Sequence, residues 1–485
     1  MPRSFRCLGG DIKMRGLLCA AILGAVWGCG RSRGTSLTDA APATTTSRAA
    51  ALPNLVVILV DDMGYGDLSI QGSADIRTPN IDSIAKNGVR CTSGYVTAPQ
   101  CSPSRAGLLT GQYQERFAHE ANPEIPFRSS TFGLTKNKPT FGKYLHAAGY
   151  VTGAVGKWDL GDIHSWSHPK NRGFDEWYGF LTGARSYQPT STSALNIRIT
   201  TSPTEGISET RYVTEELTAG AVGFMERNAS QPFALYVAYS APHEPYEVPA
   251  AYLARNQHVQ NADRRVYASM ITALDDGVGE ILGSLKKHNL SGKTLVFFLS
   301  DNGAPANHAF TVGSNAPLRG WKGQLYEGGI RVPFLVQWPG SRIPVGSTYD
   351  QPVSTLDVIP TALAAAGKAA PAELEGVNLL PYLLGERKGK PHEVLFWRWM
   401  GHKAVRAGDW KWVVTAQREQ AELYNLVEDP EESVNLADKL SERAEELTGL
   451  WRTWNRELAA PAWRFDPQIA MMRERYYGEG MRPYP

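Results

Sequence analysis

The chain has 485 residues, 42% hydrophobic and 20% charged, enough to bury one large domain with a smaller one beside it. Its 50 Lys and Arg against 48 Asp and Glu leave a net charge of +2, which excludes a charge-based case for a nucleic-acid partner and makes any anion binding local. Of its 5 cysteines, Cys7, Cys19 and Cys29 precede residue 30, so Cys91 and Cys101 are all that remain and a disulfide framework is excluded.

Arg3, Arg6, Lys13 and Arg15 precede the apolar run Leu17 to Val26, which is too short to span a bilayer and suits a secretory signal. Residues 1–29 therefore read as a leader, and the protein as exported to a periplasm or cell surface. Val26-Trp27-Gly28-Cys29 resembles a bacterial lipobox and makes Cys29 a candidate lipid anchor; Trp27 is unusual there, and a plainly cleaved signal or an uncleaved anchor are the alternatives. Residues 30–50, rich in Thr, Ser, Ala and Gly, read as a flexible tether.

The main folded part, 51–385, opens with Leu55 to Val60, a continuous aliphatic run suited to a strand buried on both faces, ending in Asp61-Asp62. Gly88 to Thr92 places Cys91 in a buried strand. Tyr150 to Val155 leads into Gly156-Lys157-Trp158-Asp159, and Phe233 to Tyr239 into Ala241-Pro242-His243. Thr294 to Ser300 repeats the first design and ends in Asp301-Asn302-Gly303. Helical patterns at Ile81 to Asn87, Thr214 to Arg227 and Arg265 to Lys287 lie between, so the expected fold is α/β: a large, mostly parallel central sheet flanked by helices. Such sheets bind ligands at the carboxyl ends of their strands. Over 386–485 the pattern changes to short strands, Val394 to Trp399, Lys403 to Arg406 and Trp410 to Thr415, then a helix from about Ser441 to Leu458, which predicts a smaller C-terminal antiparallel sheet plus helix.

The densest chemical signal is Cys101-Ser102-Pro103-Ser104-Arg105 followed by Ala106-Gly107-Leu108-Leu109-Thr110-Gly111. Pro103 suits a first helical turn, which puts Cys101 at a helix N-terminus whose partial charge favours anions. The stretch resembles the signature of type I sulfatases of the alkaline-phosphatase-like superfamily, in which this cysteine is oxidised to a formylglycine. A thiol is a poor nucleophile toward sulfur, whereas the hydrated aldehyde has one hydroxyl to attack and another to expel sulfate. The resemblance implies a formylglycine-generating or anaerobic sulfatase-maturing partner enzyme and a catalytic domain over 51–385. It also implies hydrolysis of sulfate esters, with a sulfated sugar or aryl sulfate as substrate. Arylsulfatases and N-acetylgalactosamine-6-sulfatases are the nearest in local motif.

Asp61, Asp62, Asp301 and Asn302 are an oxygen-only set, the preference of a hard divalent cation; one calcium per chain is the first choice, ahead of magnesium with its tighter octahedron. The resemblance matches these four to the family's metal ligands, with residue 101 beside them. It also carries over Arg105, Lys157, His243 and Lys322, each in a matching segment such as Leu318-Arg319-Gly320-Trp321-Lys322-Gly323. It implies that Lys157 and Lys322 hold the sulfate, that His243 hydrogen-bonds it or protonates the leaving oxygen, and that Arg105 steadies the hydrated aldehyde and the carboxylates. One position departs: where relatives carry Gly-Lys-Trp-His-Leu-Gly, this chain has Asp159 for the histidine. Asp159 acts as a base in its place if burial or a carboxylate raises its pKa, the site is slowed, or the duty passes to His164 or His168. Two rivals share these residues: a phosphomonoester or phosphonate hydrolase on the same fold, and a non-catalytic lipoprotein that binds sulfated glycans.

Overall fold

The aliphatic run that opens the folded chain is buried on both sides because its alternate residues enter two different cores. Val56, Ile58 and Val60 face one, with the helices Pro79–Lys86, Val213–Arg227 and Ala262–Lys287; Leu55, Val57 and Leu59 face the other, with Cys101–Thr110, Phe141–Ala147 and Val358–Ala365. Each fully buried Val or Leu contributes about 1.5–3 kcal/mol, so the sheet is stabilised from both faces. The computed structural model describes residues 52–462 except 123–132, 162–164, 190–197, 203–206, 208–209, 307–311 and 417; the leader, the tether, Cys29 and His164 lie outside the described residues.

In chain order the strands are β1 (Asn54–Val60), β2 (Val89–Cys91), β3 (Gly94–Tyr95), β4 (Val151–Lys157), β5 (Glu176–Phe180), β6 (Phe233–Ala238) and β7 (Thr294–Ser300). They continue with β8 (Phe334–Gln337), β9 (Ser347–Tyr349), β10 (Val353–Ser354), β11 (Val394–Trp399), β12 (His402–Ala407), β13 (Trp410–Thr415) and β14 (Arg418–Asn425). The large sheet has the order β5-β4-β6-β1-β7-β8-β2-β9, and only β8 runs against its neighbours. The four strands whose ends carry the polar motifs, β4, β6, β1 and β7, are therefore adjacent, and Leu59 stands level with both Ala238 and Leu299.

The expected mostly parallel α/β sheet is present. One strand is longer than its aliphatic run suggested: β4 continues through Gly156 to Lys157, so Lys157 ends a strand and is buried. Gly156 permits this, with φ at +108° and an added Cβ falling 1.9 Å from the Ala238 carbonyl oxygen. Cys91 is fully buried in β2, the inert position its sequence suggested.

The smaller sheet, β11-β12-β13-β14, is antiparallel throughout. One face carries Val405, Trp412 and Val414 against Leu447, Trp451 and Trp454 of the helix Ser441–Asn455. The other packs Leu395, Trp397 and Tyr424 on Tyr95, Tyr326 and Ile330 of the larger part.

Candidate active site

Cys101 is the first residue of the helix Cys101–Thr110, after the extended cap residue Gln100, and every residue of that helix is buried. Its Sγ lies 3.4 Å from Asp61 Oδ1, just past the end of β1. Burial and the Asp61 carboxylate raise the thiol pKa well above its usual value, against Lys157 and Lys322, so the unmodified group stays a neutral thiol. One helical turn on, Arg105 donates from Nε to Asp301 Oδ2 at 2.9 Å, approaches Asp61 Oδ2 at 3.3 Å, and donates to the Lys157 carbonyl at 3.0 Å. One guanidinium thus ties the ends of β1, β4 and β7 together.

The carboxylates are crowded with cations. Lys157 Nζ meets Asp61 Oδ2 at 2.5 Å, while Lys322 Nζ lies 2.7 and 2.9 Å from the two oxygens of Asp62. His243 Nδ1 lies 2.6 Å from the Glu244 carbonyl, and its Nε2 faces Asp62 Oδ2 at 3.7 Å. Burial alone would raise Asp61, but Lys157, His243, Arg105 and Lys322 outweigh it and hold its pKa far below the carboxylate range. Burial and the nearby Asp61 push Asp301 up to about 7, with Arg105 opposing.

A divalent cation fits these donors. Ligand atoms of Asp61, Asp62, Cys101 and His243 lie within 4.8 Å of one another. Asn302 donates its amide to Asp62 Oδ1 at 2.7 Å, yet its own Oδ1 is buried without a hydrogen-bond partner, an acceptor suited to a metal ion. Asp301 is reached through Arg105 and through the Asp62 N–H, 3.3 Å from its Oδ1.

Asp159 belongs to the same cluster. Its carboxylate is buried 3.6 Å from Lys157 Nζ, and its Oδ2 has no hydrogen-bond partner. Burial raises its pKa, Lys157 and Arg105 opposing and Asp61 adding to the rise, which is the direction a base in histidine's place needs. His168 is engaged elsewhere: it meets Trp177 edge-on at 5.9 Å, accepts the Lys170 N–H, and is pushed down to about 4 by burial. Tyr187 donates its hydroxyl to the His243 carbonyl at 2.8 Å, and Arg185 lies over the Phe180 ring at 5.6 Å.

Sequence reasoning missed the layer behind the nucleophile. The Ser102 hydroxyl bridges His119 and the Asp159 carbonyl, and the Asn122 side chain takes the Ser102 N–H. His119 follows the helix in Arg116-Phe117-Ala118-His119-Glu120, a run with no local signature.

The chain matches the sulfatase family over residues 53–368 and the C-terminal region of N-sulphoglucosamine sulphohydrolase over 320–453. It is 33% identical to arylsulfatase A of Bos taurus, with 82% of this chain and 86% of that protein covered, and 34% identical to N-acetylgalactosamine-6-sulfatase of Canis lupus familiaris, with 74% and 71% covered. Among solved structures it is similar to Ps i-CgsB, crystallised in complex with k-i-k-neocarrahexaose, at 32% identity and a TM-score of 0.80, covering 88% of this chain and 98% of that one. A phosphonate monoester hydrolase of Agrobacterium radiobacter shares the fold at 19% identity and a TM-score of 0.60. Sulfatases use a formylglycine and a divalent metal, and the cysteine, carboxylates and lysines gathered at one sheet edge are of the kind that chemistry needs. The chain belongs to the sulfatase family, in the alkaline-phosphatase-like superfamily, and is a sulfuric ester hydrolase that cleaves sulfate esters.

Proposed function

We propose that this sulfatase acts on a sulfated carbohydrate after Cys101 has been converted to formylglycine, with one calcium ion held by Asp61, Asp62, Asp301, Asn302 and residue 101. The observation that carries this reading is the approach of Asp61, Asp62, Cys101 and His243 to within 4.8 Å, with Lys157 and Lys322 on the two aspartates. The hydrated aldehyde supplies paired hydroxyls, and the cation supplies fixed positive charge beside them.

The chain's own groups then divide the work. Lys157 and Lys322 face the nonbridging sulfate oxygens, where charge grows in the transition state. His243 presents Nε2 to the departing oxygen and gives it a proton. Asp159, buried and raised in pKa, takes the proton of the hydroxyl that expels sulfate. Arg105 holds Asp61, Asp301 and the end of β4 in register and keeps two carboxylates side by side.

A sugar substrate is supported by the 32% identity to Ps i-CgsB, crystallised with neocarrahexaose. Export through the leader 1–29, a lipid anchor at Cys29 and a maturing enzyme for Cys101 complete the proposal. Among the described residues no helix is long and apolar enough to cross a membrane.

The test uses protein co-produced with a maturing enzyme. Sulfate release from sulfated oligosaccharides should exceed release from nitrophenyl sulfate in kcat/KM, and nitrophenyl phosphate should be slower still. Removing metal with a chelator should abolish release, and calcium should restore it better than magnesium. Turnover of aryl sulfates alone would remove the sugar assignment, and preferential rescue by magnesium would remove calcium.

A further inference from the structure

Asp159 is held in a conformation that few non-glycine residues adopt. Its φ is +56°, in the left-handed region, which is unfavourable for a residue with a Cβ and persists where neighbours fix it. Three contacts do so. Its N–H donates to the Leu181 carbonyl at 3.1 Å, and its own carbonyl accepts the Ser102 hydroxyl at 2.5 Å. Its carboxylate rests against Gly183, where an added Cβ would come 2.9 Å from Oδ1.

The Ser102 hydroxyl has one hydrogen, and the Asp159 carbonyl takes it. His119 Nε2, 2.7 Å from the same oxygen, must therefore be the donor in that pair. Burial pushes the imidazole pKa down to about 3, against a hydrogen bond with the Gly133 backbone, so the ring is neutral and the Ser102 geometry puts its single N–H on Nε2. The same segment meets the nucleophile's turn a second time: Asn122 Oδ1 accepts the Ser102 N–H at 3.1 Å, one of the first-turn donors a helix leaves unpaired. Between them, Glu120 is clamped by Arg398 of β11, whose Nε lies 3.0 Å from Oε2.

We propose that His119 is a positioning residue for sulfate ester hydrolysis. Through the Ser102 hydroxyl it fixes the main chain of Asp159, and so aims the Asp159 carboxylate across Lys157 toward residue 101. The inference rests on the role proposed above for Asp159. It explains how a short carboxylate serves where relatives carry an imidazole: the backbone beneath it is pinned to the residue next to the nucleophile.

The test compares His119→Leu, His119→Gln and Ser102→Ala with the wild type and with Leu447→Ala, a core variant in the C-terminal cluster that loosens the fold without touching this segment. Rates are expressed per molecule bearing the aldehyde at 101, counted by mass spectrometry. His119→Leu and Ser102→Ala should lose about 10- to 100-fold in kcat, the effect of a misaimed group, with KM changed by less than about twofold. His119→Gln, whose amide can still donate, should recover most of the loss, and Leu447→Ala should keep the wild-type kcat. Wild-type kcat in Ser102→Ala or His119→Leu would overturn the proposal, as would an equal loss in Leu447→Ala or no recovery in His119→Gln. Asp159→Asn separates this inference from its premise. If it keeps full kcat the proposed base is wrong; if it fails while His119→Leu does not, His119 alone is misassigned.

Discussion

Two buried charge clusters draw on the same stretch of chain, one through Lys322 and the other through Glu327, and they are built on different terms. Where the C-terminal sheet meets the larger part, Lys411 Nζ lies 2.8 Å from Glu327 and 3.1 Å from Glu432, all three side chains fully buried. Glu327 also accepts the Tyr95 hydroxyl at 2.5 Å and faces Arg331 at 3.4 Å, while Arg406 reaches the same tyrosine. Glu432 in turn accepts the Glu327 N–H at 2.7 Å. Each of the four carboxylate oxygens meets a cation or a donor within 3.4 Å, Glu432 Oε1 through its ion pair with Lys411 alone. At the carboxyl edge of β4, β6, β1 and β7 the carboxylates are equally buried, but Asn302 Oδ1 has no hydrogen-bond partner and Asp159 Oδ2 has only the Lys157 ammonium, 3.6 Å away. Unmet buried acceptors destabilise a fold, so a cluster that keeps them is built to receive something, and one that does not is built to hold. The difference separates a binding site from a fastening by the same kind of chemistry.

That contrast can be broken from either side, and the largest effect should come at the open cluster. Cys101→Ala should reduce kcat/KM by at least about 10⁴-fold while leaving the thermal midpoint within a few degrees, because it removes the nucleophile and little packing. An equal loss of stability would make the residue a fastening instead. Lys411→Met should do the reverse. Stranding Glu327 and Glu432 in the interior should cost about 3–5 kcal/mol in a urea unfolding experiment, with the kcat of the folded fraction nearly unchanged. Lys322→Ala should lower kcat/KM by about 10²–10³-fold, the usual loss on deleting one fixed charge that faces transition-state oxygens.

The last effect concerns acid. The His119 pKa sits near 3 against an ordinary 6.5, so below 6.5 the unfolded chain binds a proton that the native state refuses. Its contribution is full above 6.5 and is lost as pH falls toward 3. Relative to His119→Gln, the wild type should lose at most about tenfold in folding equilibrium per pH unit through that window. Parallel pH–stability curves for the two proteins would contradict this.

Much of the architecture was readable because the chain marks it plainly. β1 and β7 are uninterrupted aliphatic runs cut off by Asp61-Asp62 and Asp301-Asn302, and both strands end where those pairs begin. β11 and β13 were legible for the same reason, apolar alternation stopped by polar turns. The helix Pro79–Lys86 starts two residues before its periodic pattern, at the proline that suits a first turn, and Ala262–Lys287 starts three before, where the Asn261 side chain caps the Arg264 N–H. The helix Val358–Ala365 escaped notice because six of its eight residues are buried, which erases the amphipathic stripe that a pattern search needs. The short strands β3 and β10 pair with each other across more than 250 residues, a contact no local window contains. His119 shows the same limit at the site. Its partner Ser102 is 17 residues away, so nothing in the surrounding letters announced the contact. Asp159, by contrast, drew attention by departing from a motif, and the structure shows what that departure leans on.

The most direct measurement is sulfate release as a function of the fraction of chains bearing formylglycine at position 101, varied by co-producing different amounts of the maturing enzyme. The account predicts a straight line through the origin, with no turnover from chains that keep the cysteine. Equal rates from fully unmodified protein would contradict it, and place the chemistry somewhere other than the edge where β4, β6, β1 and β7 end.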